Sequence, residues 1–195
     1  MKKILLVLAV FLITVISANA QGFHIGVKAG AGLAKIDGSS FNNGFELGYQ
    51  LGAFANIDFS PVIGIQPEVL FNQSNTKTVT SPPSAENVLN GDYSASLNYL
   101  SIPILLKINA SKIFAINVGP QYSILTQQDQ NLTTNASNAF KTGDFSLVLG
   151  VQLKLNSNFH VYGRYNFGLS SINDLSTQDK WTNQQIQLGL GLKLF

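Results

Sequence analysis

From Phe23 to Leu33 the chain changes character at every residue. Phe23, Ile25, Val27, Ala29, Ala31 and Leu33 alternate with His24, Gly26, Lys28, Gly30 and Gly32. A period of two belongs to a strand with two chemically different faces, whereas a helix would repeat every 3.6 residues. Seven further stretches, 45–59, 63–72, 99–107, 114–124, 145–154, 159–169 and 185–194, carry the same alternation. Eight strands of about 10 to 15 residues are long enough to cross a membrane, for which about 9–11 tilted residues suffice.

Alternation alone does not say which face is inside. A soluble sandwich or ligand-binding barrel would turn the apolar set inward. Two features favour the opposite. Glycines 26, 30, 32, 48, 52, 64, 119, 150, 168, 189 and 191 share the polar face, and only Gly163 falls clearly on the apolar one. Small residues suit the crowded bore of an eight-stranded barrel. Charges also never interrupt the apolar faces, which lipid requires and water does not. Charged residues make up only 11% of the chain against 45% hydrophobic, well under the quarter typical of soluble domains. The sequence therefore predicts an all-β fold: an eight-stranded antiparallel up-and-down transmembrane β-barrel, following an N-terminal signal peptide.

The linkers alternate in length. Those near 37–44, 73–92, 127–142 and 171–182 are long, and those near 60–62, 109–112 and 156–158 are short. Outer-membrane barrels have short periplasmic turns and longer extracellular loops, so both chain ends are expected in the periplasm. Pro67 and Pro103 fall inside strand patterns, and the absent N–H of each predicts a bulge or irregular pairing there.

Residues 1–20 read as the signal peptide. Lys2 and Lys3 precede an apolar run over 4–16, and Ala18-Asn19-Ala20 forms a small-residue cleavage pattern. The run is too short for a membrane anchor helix. Cleavage after Ala20 leaves residues 21–195 as the barrel domain. It also removes two lysines, so the formal +2 of the whole chain belongs to the leader. A neutral mature chain gives no electrostatic case for nucleic-acid binding. The chain has no cysteine, which excludes disulfides, thiolate metal sites and a lipidated N-terminal cysteine.

With the strands laid out, the stretch Tyr99-Leu100-Ser101-Ile102-Pro103-Ile104-Leu105-Leu106-Lys107 resembles the YLxIPLLLK signature of PorT-like outer-membrane β-barrel proteins of Bacteroidota. Supporting segments are Gly26-Val27-Lys28-Ala29-Gly30, Asn117-Val118-Gly119-Pro120-Gln121-Tyr122, Asp144-Phe145-Ser146, 162–169 and 187–195. The resemblance implies an outer-membrane location. One family member is associated with protein secretion and gliding; assistance in secretion or surface assembly is what that association would add. The terminal Phe195 resembles the aromatic signal read by barrel-insertion machinery, although it is out of phase with Leu188, Leu190, Leu192 and Leu194.

The polar face carries Lys28, Glu46, Glu68, Lys107, Asp144, Lys154, Arg164 and Lys193, with Asp58 near the periplasmic rim. Charges in a narrow lumen must be paired or solvated, so these residues are expected to form a polar network that replaces a hydrophobic core. Lining a narrow conduit is the alternative. His24 and His160 begin strands that each neighbour the last one, so they could share a layer as a metal or catalytic pair. No serine sits in a recognisable motif, so a lipid-modifying enzyme is the second alternative. No cofactor, metal or catalytic residue is assigned. Expected partners are outer-membrane lipid, the insertion machinery and an envelope or extracellular protein. Tyr49, Tyr93, Tyr122, Tyr165, Trp181, Phe45 and Phe159 are expected to anchor the barrel at the membrane interfaces.

Overall fold

The computed structural model describes residues 22–37, 45–77, 94–128, 143–170 and 182–194. Residues 1–20, expected to be a leader, and Phe195, Tyr93 and Trp181 lie outside the described residues. Eight strands form one closed antiparallel barrel: β1 (Phe23–Asp37), β2 (Glu46–Asp58), β3 (Ile63–Lys77), β4 (Ser94–Asn109), β5 (Phe114–Gln128), β6 (Gly143–Lys154), β7 (Phe159–Gly168) and β8 (Thr182–Lys193). Each strand pairs with its sequence neighbours, and β1 closes on β8 from Gly26↔Lys193 to Asp37↔Thr182. Closure leaves no edge strand with unpaired backbone, which a hydrocarbon environment demands.

The faces are inverted relative to a soluble barrel. Leu188 is 63% exposed and Leu47 64%, while Glu68 and Lys28 are each 2% exposed. Apolar side chains form the outer belt, and Gln50, Gln66, Glu68, Asn117, Arg164 and Gln187 are buried within. The interior is not wholly polar. Phe54, Leu70, Leu105, Val148 and Tyr162 also point inward and are buried. Their sequence parity matches that of the polar face, so position in the pleat overrides side-chain chemistry.

Glycines make room where the interior is tightest. A Cβ on Gly52 would meet the backbone oxygen of Val69, and one on Gly119 that of Ile104. Outward aromatics occur toward both ends of the belt, with Phe59 and Phe159 near the short turns and Phe45, Phe145 and Phe167 toward the long loops.

The prolines do not cause bulges. The β2–β3 ladder keeps its register but skips Ala55 and Asn56 opposite Gln66 and Pro67. The β3–β4 ladder skips Glu68 and Val69 opposite Pro103 and Ile102, and the β4–β5 ladder skips Ile104 and Leu105 opposite Pro120 and Gly119. On its other side each proline stays in register: Pro67↔Ile104, Pro103↔Gln121 and Pro120↔Leu147. A strand residue directs both its N–H and its C=O to one neighbour, so a missing N–H weakens one ladder only. The single register shift in β4–β5 falls at Asn98/Tyr99 instead.

Three four-residue turns, 59–62, 110–113 and 155–158, join β2–β3, β4–β5 and β6–β7. All three use one device at their second position. Ser60 Oγ accepts from the N–H of Val62 and Ile63, Ser111 Oγ from Ile113 and Phe114, and Asn156 Oδ1 from Asn158 and Phe159. A short side-chain acceptor satisfying the next backbone donors is a strong local turn signal. At the opposite end, β3 and β4 run further than the alternation predicts. Ser74–Lys77 pair with Ser94–Leu97, where the β3 sequence is polar at every position and the period of two has faded.

Candidate functional site: the barrel lumen and its short-turn vestibule

The centre of the lumen is built around one carboxylate. Glu68, on β3, accepts from Lys28 Nζ of β1 at 2.7 Å, from Gln66 Nε2 at 2.6 Å and from Arg164 Nη1 of β7 at 2.8 Å. Arg164 also donates Nη2–H to Gln50 Oε1 at 2.8 Å and Nε–H to Gln187 Oε1. Gln187 in turn donates to Gln185 at 2.7 Å. The Lys28 ammonium stands 4.1 Å from the centroid of the Tyr162 ring, so an aromatic face supplies part of its solvation. Residues from β1, β2, β3, β7 and β8 therefore meet at one level. The cavity beside the cluster is about 10 Å³, room for one water at most.

Two further polar layers flank this level. Toward the long loops, Asn72 donates to Ser101 at 2.7 Å, Ser101 and Ser123 share a hydrogen bond of 2.8 Å, and Gln121 donates to Ser123 at 3.2 Å. Beyond them Asp144 accepts from Ser170 Oγ at 2.9 Å. Toward the short turns, Gln66 Oε1 accepts from Asn117 and Gln152 at 3.4 and 3.1 Å.

Below Gln152 the lumen widens into an open vestibule of about 430 Å³ at the short-turn end. Lys107, Lys154, Lys193, His24, His160 and Asp58 line it, joined by Lys112 from the turn between β4 and β5. Lys107 pairs with Asp58 at 3.2 Å, and Lys154 donates to Asn109 Oδ1 at 3.0 Å.

The eight charged residues expected on the polar face thus divide by level. Lys28, Glu68 and Arg164 meet at the centre. Lys107, Lys154 and Lys193 stand in the vestibule. Asp144 lies toward the long loops, as does Glu46, opposite Ala34 near the loop end of β2. His24 and His160 do share the vestibule wall. Neither is hydrogen-bonded to a serine hydroxyl or a carboxylate, and no cluster of three or more His, Cys, Asp or Glu that could hold a metal occurs among the described residues. The reading of the charges alone missed the glutamines that complete the coordination of Glu68 and Arg164. It also missed Tyr162 and Lys112. Parity could have found Gln50, Gln66, Tyr162 and Gln187, which share the inward face; Lys112 lies in a turn, where parity says nothing.

Comparison with known proteins agrees with this geometry. The model of the outer membrane protein beta-barrel domain matches residues 4–193. Neisserial surface protein A resembles the chain at a TM-score of 0.55 and 13% identity, over 89% of this chain and all of the other. Ail, the attachment invasion locus protein of Yersinia pestis, crystallised with the heparin analogue sucrose octasulfate, resembles it at 0.51 and 12% identity, over 89% of this chain and all of the other. Comparison with curated proteins gives no match. At such identities the two structures speak for the fold, a closed eight-stranded membrane barrel. With its family model matched along nearly the whole sequence, the chain belongs to the outer membrane protein beta-barrel domain family and is an integral barrel of an outer membrane.

Proposed function

We propose that this protein is a sealed, non-enzymatic outer-membrane barrel that acts as a scaffold, engaging partners through its loops or its periplasmic rim. The observation that carries the reading is the Glu68 cluster. Lys28, Gln66 and Arg164 fill the bore around a single carboxylate. A conduit needs a continuous aqueous path, with sites weak enough for a solute to leave. Here, oppositely charged groups meet at contact distance. The lumen network is accordingly a structural plug that holds non-adjacent strands together.

Within the family, the segment YLSIPILLK at 99–107 supports kinship with the PorT-like group of Bacteroidota, and with it an accessory role in secretion or surface assembly. The lysine-initiated apolar leader supports export with cleavage after Ala20. Phe195 is the proposed insertion signal, and outer-membrane lipid, the insertion machinery and an envelope or extracellular protein are the proposed partners.

Planar-bilayer recording tests the sealed barrel. The mature protein is expected to insert without discrete conductance steps above the bare bilayer. Reproducible openings that change with Glu68→Gln would contradict a plug and favour a narrow channel.

A further inference from the structure

The vestibule is strongly basic. Four lysines line it, and Asp58 is the one carboxylate among its described lining residues. Asp58 is already engaged by Lys107. Lys154 reaches only a neutral amide oxygen, on Asn109. The ammonium groups of Lys112 and Lys193 have no hydrogen-bond or ion-pair partner among the described residues.

Like charges gathered around a concave, partly desolvated space repel one another, and low-dielectric walls focus the resulting positive field. The three turns that frame the mouth are closed by side-chain-to-backbone hydrogen bonds, so the lysines of β4, β6 and β8 project from a fixed rim. Above the vestibule the lumen is blocked by the Glu68 cluster, so an anion drawn in is held rather than passed on.

We propose that the vestibule is a binding site for a compact multivalent phosphoryl anion, presented either free in the periplasm or on a lipid headgroup. A net three positive charges from lysine and aspartate call for more than one negative charge on the ligand. A volume of about 430 Å³ lies within the range of small-molecule sites. It admits a diphosphate or a phosphorylated headgroup and is too small for a folded protein. Lys112 and Lys193 bind the anion from the rim and Lys154 from the wall. The site deepens the reading of the periplasmic rim as an interaction surface and rests on the short-turn end facing the periplasm.

The test uses the mature chain, refolded in zwitterionic detergent and titrated calorimetrically with inorganic pyrophosphate. The expected result is saturable binding at one site that weakens with added salt. It falls at least tenfold in the Lys112→Gln/Lys193→Gln double variant and is unchanged in Lys35→Gln at the opposite end of the barrel. A heat-modifiable gel shift in each variant shows that it has folded, and Lys112→Gln alone, in an exposed turn, provides a second variant. Phosphatidylcholine nanodiscs with and without phosphatidic acid separate the sources. Loss of pyrophosphate binding only in the phosphatidic acid discs identifies a headgroup, and retained binding identifies a free anion. Absence of saturable binding, equal affinity in the double variant, or capture of an acidic peptide without pyrophosphate would overturn the proposal. Conductance recorded on the same preparation keeps the two readings apart. Openings count against the sealed barrel, whereas a silent barrel without pyrophosphate binding counts against the vestibule site alone.

Discussion

Lys28 donates to Glu68 at 2.7 Å inside the bore of the barrel, from β1 to β3, passing the intervening strand β2. Arg164 reaches the other oxygen of the same carboxylate from β7, at 2.8 Å. Hydrogen-bonded ladders join only neighbouring strands, so this pair of contacts supplies what the sheet cannot, a direct tie between walls that face each other.

The tie makes Glu68 the most sensitive position in the lumen. Glu68→Gln keeps the shape but leaves two cations buried without a counter-charge. Breaking a buried ion pair by removing one partner costs about 3–5 kcal/mol. Denaturant unfolding in detergent should show a loss of that order. Lys28→Met should cost clearly less, because Arg164 still neutralises Glu68 and the new side chain packs on Phe54 and Tyr162. Equal losses would mean that the carboxylate is not the hub.

Close strand approach explains a second sensitivity. At Gly52 an added Cβ runs into the backbone oxygen of Val69 and the Leu70 side chain. At Gly32 the nearest atom would be Gln187 Cγ at 3.5 Å, an ordinary contact. Gly52→Ala should therefore destabilise the barrel by about 1–3 kcal/mol, and Gly32→Ala should be near neutral. The comparison is read from unfolding midpoints of the two variants. Equal midpoints would argue that the interior is looser than described.

The outer belt makes a third expectation. Leu188 points outward at mid-strand, opposite Ala31 and Gly163. An arginine near the bilayer midplane costs a lipid-facing barrel site about 2–4 kcal/mol. Leu188→Arg should lose about that much in liposomes, measured by folding equilibria. A loss under about 0.5 kcal/mol, the usual surface value, would place this face in water.

Much of the fold was legible in the alternation because one physical rule, side chains on opposite faces of a pleat, acts at every residue of each strand. The direction of the faces was legible because glycine and charge fall on the same side. The rule said less where chemistry and parity disagree. Phe54, Leu70 and Tyr162 are apolar or aromatic yet inward, and only their even numbers reveal it. The prolines at 67, 103 and 120 weaken one ladder each without a bulge, since the neighbouring strands hold register. Charges at Lys28, Glu68 and Arg164 were visible as lumen residues, but their meeting was not. It depends on how far strands are staggered around a closed barrel, a quantity no single segment encodes. Beyond residue 73 the β3 sequence is polar at every position and no longer marks where the strand stops.

The central claim is that the apolar face meets lipid while the polar face is locked in a bore closed to water. The chain has no cysteine, so single thiols can be introduced one at a time. Ser101, 1% exposed inside the lumen, and its neighbour Ile102, 39% exposed outside, differ by one step along β4. The decisive measurement is the reaction of Ser101→Cys and Ile102→Cys, folded in liposomes, with a charged and a lipid-soluble thiol reagent. Cysteine at 102 should react with the lipid-soluble reagent alone, and cysteine at 101 with neither until the barrel is heat-unfolded. Rapid labelling of position 101 by the charged reagent in the folded barrel would contradict the sealed lumen, and rapid labelling of position 102 by it would contradict the membrane barrel itself.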